Sequence, residues 1–383
     1  MKILHILDEY RIHPYSIINY LKNNFPEMDQ SFFITKSHDY VMKSNPYLLA
    51  FPDLIYELPI DTNNRKSRIQ AARYLEKYLK AADVIIWHTM RSITTIEYLK
   101  TVTKSVYLNK SVWSIMSRDC IISVNRLGIT AKTHIERKKQ KYKKKLEQCR
   151  VIGLKNPSER DHVQEIFPNM CLLDTPLMDC SYQLALLNED EYQINKKNEV
   201  PIVWVGYNAY KFNAHTDLID GISASSQYRD FLTILPMNYA LCSEYGSKPS
   251  SDYVLRVKNY AERNLTGRVI ILNRRRVPDA AYFKTLNSAD AVVLPSDRPE
   301  FFELLFDMLW LGKRVFFYSD VPLRQYLLDK GFCIHALEDF AETELIADNN
   351  EVEQNRRAII SMRESNKQKW QEFFDYLKEE VCK

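Results

Sequence analysis

At 383 residues the chain exceeds what one ordinary hydrophobic core accommodates, so two domains are expected. Hydrophobic residues at 45% and charged residues at 27% suffice for sizeable cores beneath a solvated surface. A formal net charge of +4 is small for this length and argues against a general nucleic-acid binder.

Glycine is scarce at 8 residues, so turns must rely on Asn, Asp, Ser and Pro, and glycine-based motifs lose diagnostic value. The seven cysteines are odd in number and scattered, and none forms a Cys-x-x-Cys pair. This usage fits a reducing cytoplasm better than a disulfide framework or a zinc site. The opening Met-Lys-Ile-Leu-His-Ile-Leu reads as a buried first strand rather than a signal peptide. No apolar run approaches the roughly 20 residues needed to span a bilayer, so any membrane contact is expected to be peripheral.

Short apolar runs bounded by turn residues predict parallel strands at residues 2–7, 31–34, 83–87, 105–108, 151–154 and 171–173. Helical patterns fall at 16–23, 65–82 and 158–166. The polar stretch 188–200 interrupts the alternation and reads as a linker between an N-terminal domain (1–187) and a C-terminal one (201–348). In the second half strands are predicted at 202–205, 232–235, 269–272, 291–294, 315–318 and 333–335. Helices are predicted there at 216–225, 251–264, 280–288, 300–311 and 323–329. Residues 349–383 read as one or two charged amphipathic helices bracing the two halves. The expected class is α/β, with two Rossmann-like doubly wound domains facing a cleft, where nucleotide-bearing ligands commonly bind.

Loops after strands carry the candidate chemistry. After the first strand, Asp8 and His13 could act as acceptor-binding group and base, although Asp is also an ordinary turn former. His88, after Trp87, is a second candidate base. Trp113 and Asp119 place an aromatic platform and a carboxylate on one stretch, and the sequence does not choose among His13, His88 and Asp119.

Residues 132–150 hold nine Lys/Arg against two Glu, a local charge near +7. Such a run is usually a solvated helix face. It could also meet anionic lipid headgroups, at about 1 kcal/mol per basic residue.

In the second half, Gly206, Asn208, Asn213 and His215 occupy a polar loop between a strand and a helix. A lone His there is often a capping residue, but a loop at a strand's carboxyl end favours ligand contact. Arg274 opens a basic cluster after another strand and could meet a nucleotide or cover a helix end. The loop 295–303, with Ser296, Arg298, Glu300 and Glu303, leads into a helix opening near residues 299–301. Amides and dipole at that end could hold a phosphate, with Arg298 adding a charge-assisted contact. No Asp-x-Asp triplet occurs, so the expected diphosphate site uses amides and cations with no metal and no other cofactor. P-loop, Gly-x-Gly-x-x-Gly and Gly-x-Ser-x-Gly patterns are absent too.

With these residues in view, the chain resembles the bacterial 4-acetamido-4,6-dideoxygalactose (N-acetylfucosamine) transferases of enterobacterial common antigen assembly. His5-Ile-Leu…His13 is similar to that family's first strand and polar loop, and Trp113…Asp119 to its Trp-x-x-x-Gly-x-Asp, with Ser117 in place of Gly. Val205-Gly206…Asn213-Ala-His215 resembles its Val-Gly-Asn…Asn-x-His, and Pro236-Met-Asn-Tyr239 its Pro-Met-x-Tyr. Asp290…Arg298…Gly312-Lys-Arg-Val follows the family order, but residues 299–303 replace its Gly-rich run.

The resemblance implies a GT-B fold, with a sugar transferred from a nucleoside diphosphate to a lipid-linked saccharide at the inner face of the cytoplasmic membrane. It adds Tyr239 to the donor-binding set. Three alternatives have different chemistry: a nucleotide-sugar epimerase, a GT-B polyol-phosphate transferase, and a non-catalytic glycan-binding subunit.

Overall fold

The structure, a computed structural model, describes residues 1–7, 13–37, 46–88, 95–115, 149, 151–155, 157, 160–176, 198–207, 214–225, 230–237, 251–272, 279–295 and 302–381. The chain divides into two compact units, Met1–Tyr182 with Glu364–Lys383, and Gln183–Arg363.

The first unit contains β1 (Lys2–Leu7), β2 (Asp29–Ser37), β3 (Ile55–Glu57), β4 (Val84–Trp87), β5 (Ser111–Ile115), β6 (Val151–Leu154) and β7 (Cys171–Asp174). They form one sheet in the order β3-β2-β1-β4-β5-β6-β7, with parallel neighbours throughout. Alternate residues face opposite layers, and both layers are covered, as parallel strands require. Leu4, Ile6, Phe33, Ile85 and Trp87 pack on one side with helix Arg65–Ala81. Ile3, Leu7, Phe32, Ile34 and Ile86 face the other side, with helix α1 (His13–Asn24). Asn64 caps Arg65–Ala81, its Oδ1 accepting from the Lys66 amide at 2.9 Å, a contact type worth about 1 kcal/mol.

The second unit contains β8 (Ile202–Val205), β9 (Leu232–Pro236), β10 (Val269–Leu272), β11 (Ala291–Val293), β12 (Arg314–Phe317) and β13 (His335–Ala336). Their order is β10-β9-β8-β11-β12-β13, again parallel. Both sheets thus reverse their winding between the first and fourth strand of the unit, the Rossmann pattern whose switch point lies between those strands' carboxyl ends. At the opposite end of β8, the Asp290 carboxylate accepts from the Ile202 amide at 2.8 Å and the Asn198 side chain at 2.7 Å.

The C-terminal segment is one helix, Asn349–Tyr376, continued by a wider turn Leu377–Val381. Its buried Trp370, Phe373, Phe374 and Leu377 complete a core of the first unit, and Trp370 Nε1 donates to the Pro176 carbonyl at 2.9 Å. No described helix is long and apolar enough to cross a membrane.

Four elements depart from the sequence expectation. Residues 105–108 form a short helix, Ser105–Leu108, instead of a strand, and the fifth strand is Ser111–Ile115. A four-residue apolar run carries no periodicity that separates the two states, and tertiary packing decides. Here Val106 is exposed while Tyr107 and Leu108 are buried, and the Asn109 amide closes a turn on the Ser105 carbonyl. The edge strand Ile55–Glu57 and the helix Ile96–Val102, capped by the Thr95 hydroxyl, were not expected.

Candidate functional site

Two constellations lie at the switch points, one in each unit. In the first unit, the carboxyl end of β4 delivers His88, which is buried at 1% exposure. His88 shares a sheet face with His5 and Gln30, because His5 pairs in register with both Ile86 and Phe32 and side chains alternate. His5 Nδ1 lies 2.9 Å from His88 Nε2, and His5 Nε2 lies 3.0 Å from Gln30 Oε1. The His5 ring stacks on Phe32 with centroids 4.8 Å apart, and the His88 ring lies nearly parallel to it, centroids 5.2 Å apart, edge to edge through the Nδ1–Nε2 contact.

Burial drives the His5 pKa down to about 3, so its ring is neutral at physiological pH. His88 is also held well below the usual histidine range, first by burial and then by the Lys155 ammonium and His5. Lys155, buried beyond the end of β6, donates to the His88 carbonyl. His88 Nδ1 is sealed from solvent and has no hydrogen-bond partner among the described residues.

In the second unit, β8 ends at Gly206, whose amide donates to the Val293 carbonyl at 2.8 Å and whose carbonyl accepts from Trp204 Nε1 at 3.0 Å. Gly206 adopts φ +81°, in the left-handed region where a side chain is strained. The helix His215–Ser225 begins after Ala214, itself at φ 45°, whose carbonyl takes the Asp217 and Leu218 amides. A non-glycine residue at that φ is uncommon and marks stored strain.

His215 is fully buried, and burial lowers its pKa to about 3. Tyr253 Oη lies 2.9 Å from its Nδ1. In the tautomer where the Tyr253 hydroxyl donates to Nδ1, the ring carries its own proton on Nε2. Nε2 has no hydrogen-bond partner among the described residues. It sits 2.7 Å from where a Cβ on Gly206 would be. The turn thus combines a buried ring nitrogen, the amino end of an 11-residue helix and a residue with no side chain, an arrangement suited to an anion when Nε2 is protonated.

The predicted residues fare unevenly. His88, Gly206 and His215 occupy the two switch points. His13 opens α1 and Glu303 lies in the helix Phe302–Trp310, but their side chains are outside the described set. Asp8, Asp119, Asn208, Asn213, Tyr239, Arg274, Ser296, Arg298 and Glu300 lie outside the described residues, as does all of 132–150 except Cys149.

Trp113 requires a correction. It belongs to β5, is 4% exposed, stacks on Trp87 at 5.3 Å and donates to Cys149 Sγ at 2.9 Å. Its apolar area is spent in the core, so it offers no platform to an acceptor. His5, Gln30, Lys155 and Tyr253 escaped the sequence reading. A histidine within an otherwise apolar first strand was the visible signal for His5, since a buried polar group needs a partner.

No protein-family model matches the chain, and no curated protein matches it in sequence. Solved structures do share its architecture. A glycosyltransferase from Rickettsia africae is 12% identical with a TM-score of 0.63, covering 100% of this chain and 98% of its own. Sucrose-phosphate synthase from Thermosynechococcus elongatus is 12% identical with a TM-score of 0.64, covering 98% and 99%. HepE from Anabaena, solved in complex with UDP and glucose, is 12% identical with a TM-score of 0.62, covering 98% and 99%. The chain therefore has the GT-B fold, built from two Rossmann-like units.

Proposed function

We propose that this protein is a glycosyltransferase that moves a sugar from a nucleoside-diphosphate donor to a lipid-linked or polysaccharide acceptor in bacterial surface-glycan synthesis. The observation that carries the reading is the turn after β8, where His215 Nε2, left-handed Gly206 and a helix amino end converge at a switch point. The solved relative carrying UDP and glucose supports a nucleotide-sugar donor.

In this proposal the second unit binds the donor, with the His215 N–H, the helix amides and Arg298 facing the diphosphate. These groups stabilise the charge that grows on the leaving diphosphate as its bond to the anomeric carbon breaks, usually a large catalytic term. The first unit binds the acceptor. The acceptor oxygen bonds to the anomeric carbon, and its proton passes to a base, for which His88 is the described candidate. Chemistry of this kind runs without a divalent ion, since N–H groups and cations neutralise the diphosphate. The acetamido-dideoxygalactose donor and the location at the inner membrane face rest on the family resemblance alone.

Thermal denaturation with UDP, TDP, GDP and CDP, each with and without Mg²⁺, tests the donor site. One nucleotide at 100-fold its Kd should stabilise the fold by about 2.7 kcal/mol, equally with and without metal. Stabilisation that appears only with Mg²⁺ would refute the metal-free site, and none with any nucleotide would refute the donor. A nucleotide sugar epimerised without any acceptor would point to epimerase chemistry instead. Membrane attraction is tested separately by neutralising five lysines within residues 138–145. Sedimentation with anionic vesicles should fall while nucleotide binding holds, because each basic residue contributes about 1 kcal/mol near such a surface. Unchanged sedimentation would remove the membrane role of this stretch.

A further inference from the structure

The proposal that the first unit binds the acceptor underlies this inference, which concerns how His88 is prepared. Three hydrogen bonds set the direction of every proton behind it. Gln30 Nε2 donates to the Phe25 carbonyl at 3.0 Å, which fixes the amide so that Oε1 faces His5. Oε1 can only accept, so His5 carries its proton on Nε2. A neutral ring protonated there has a bare Nδ1, which must accept from His88 Nε2 across 2.9 Å. His88 is thereby left with a bare Nδ1, the atom that has no partner among the described residues.

We infer that Gln30 and His5 are positioning residues that lock His88 in its Nε2–H tautomer and so present Nδ1 as the acceptor for a substrate hydroxyl. Each link is held by the fold. Gln30 and Phe32 lie two apart on β2; the Phe32 ring covers one face of His5, and both ring nitrogens of His5 are hydrogen-bonded, so rotation of its imidazole is restrained. Lys155 fixes the peptide carbonyl of His88, which anchors the end of β4. Packing alone does not call for such a chain: apolar side chains would fill this layer without leaving a buried acceptor open. The unpartnered Nδ1 belongs to the residue at which β4 leaves the sheet, beside the switch point.

Selective ¹⁵N-histidine labelling of the full chain tests this directly, because two-bond nitrogen–proton correlations separate the tautomers. The eight histidines are assigned with the variants His5→Gln and His88→Gln. Wild type should show Nε2–H on both His5 and His88. In Gln30→Glu the carboxylate favours a His5 imidazolium, whose Nδ1–H must donate. His88 Nε2 then accepts, its proton moves to Nδ1, and the His88 pattern inverts.

Transfer by Gln30→Glu should fall at least about ten-fold with UDP affinity unchanged, as expected when a base loses its lone pair. A wild-type His88 protonated on Nδ1 overturns the inference, and that spectrum needs no variant to fold. So does Gln30→Glu with an unchanged His88 pattern, or with an inverted pattern and full transfer. The spectra require neither donor nor acceptor, so their failure leaves the transferase proposal standing, whereas absent nucleotide binding bears on that proposal alone.

Discussion

Gly206→Ala is expected to lower the melting temperature and abolish most nucleotide binding in a single step. A left-handed φ of +81° strains any side chain, at about 1–3 kcal/mol. The added Cβ also meets His215, 2.7 Å from Nε2 and 2.9 Å from Cδ2. That ring cannot retreat cheaply, because Tyr253 holds Nδ1 at 2.9 Å. For a unit of this size each kcal/mol lowers the melting temperature by about 2–4 °C. The new methyl also covers the N–H assigned to the diphosphate, so UDP affinity should drop at least about ten-fold, equivalent to 1.4 kcal/mol.

Calorimetric melting and UDP titration measure both effects. Adding His215→Ala to Gly206→Ala should return part of the lost stability, because the clash is gone, without restoring affinity, because the donor N–H is gone too. A Gly206→Ala protein with wild-type melting and wild-type UDP affinity would show that this turn is neither strained nor a ligand site.

The second large effect concerns His88. Replacing it with Gln keeps a polar side chain beside His5 but removes the Nδ1 lone pair. If that lone pair takes the acceptor proton, transfer should fall by about 10²–10⁴-fold, the usual contribution of a general base. UDP affinity should be untouched, since the donor is assigned to the other unit. Nucleotide release in the presence of an acceptor that supports wild-type turnover is the measurement, with circular dichroism to confirm the fold. Near-wild-type transfer would move the base elsewhere, to His13 or Asp119. Loss of UDP affinity in the same variant would contradict the division of labour between the units.

Much of the architecture was legible because parallel strands buried on both faces read as continuous apolar runs. Lys2–Leu7, Val151–Leu154, Ile202–Val205 and Val269–Leu272 fall at the predicted bounds. The helix Ser251–Asn264 does as well, since a long amphipathic period is a strong local signal. Legibility failed where the run was short. Residues 105–108 look strand-like, but one exposed Val and two buried neighbours make a helical turn. Trp113 failed for a related reason: a Trp between polar residues looks like a loop platform, whereas its burial follows from pairing with Trp87 on β4.

Gly206 and His215 were legible as a polar loop at a strand's end, but their close approach was not. They are nine positions apart in the chain, and only the path of the backbone brings a ring nitrogen to where a side chain on the glycine would be.

What the amino-acid order determined by itself was local: which segments are strands or helices, that there are two alternating α/β halves, and which loops are polar. These follow from periodicity and turn chemistry within a few residues of each position. What only the tertiary structure decided was non-local. Strand order β3-β2-β1-β4 places the end of β4 beside β1, and parallel register then sets His5, Gln30 and His88 on one face. His5 and His88 are 83 residues apart, and no local pattern encodes their 2.9 Å contact. Pairing across such a distance depends on the global competition among strands for neighbours, so the tautomer of His88 is a property of the fold and not of any segment of the sequence.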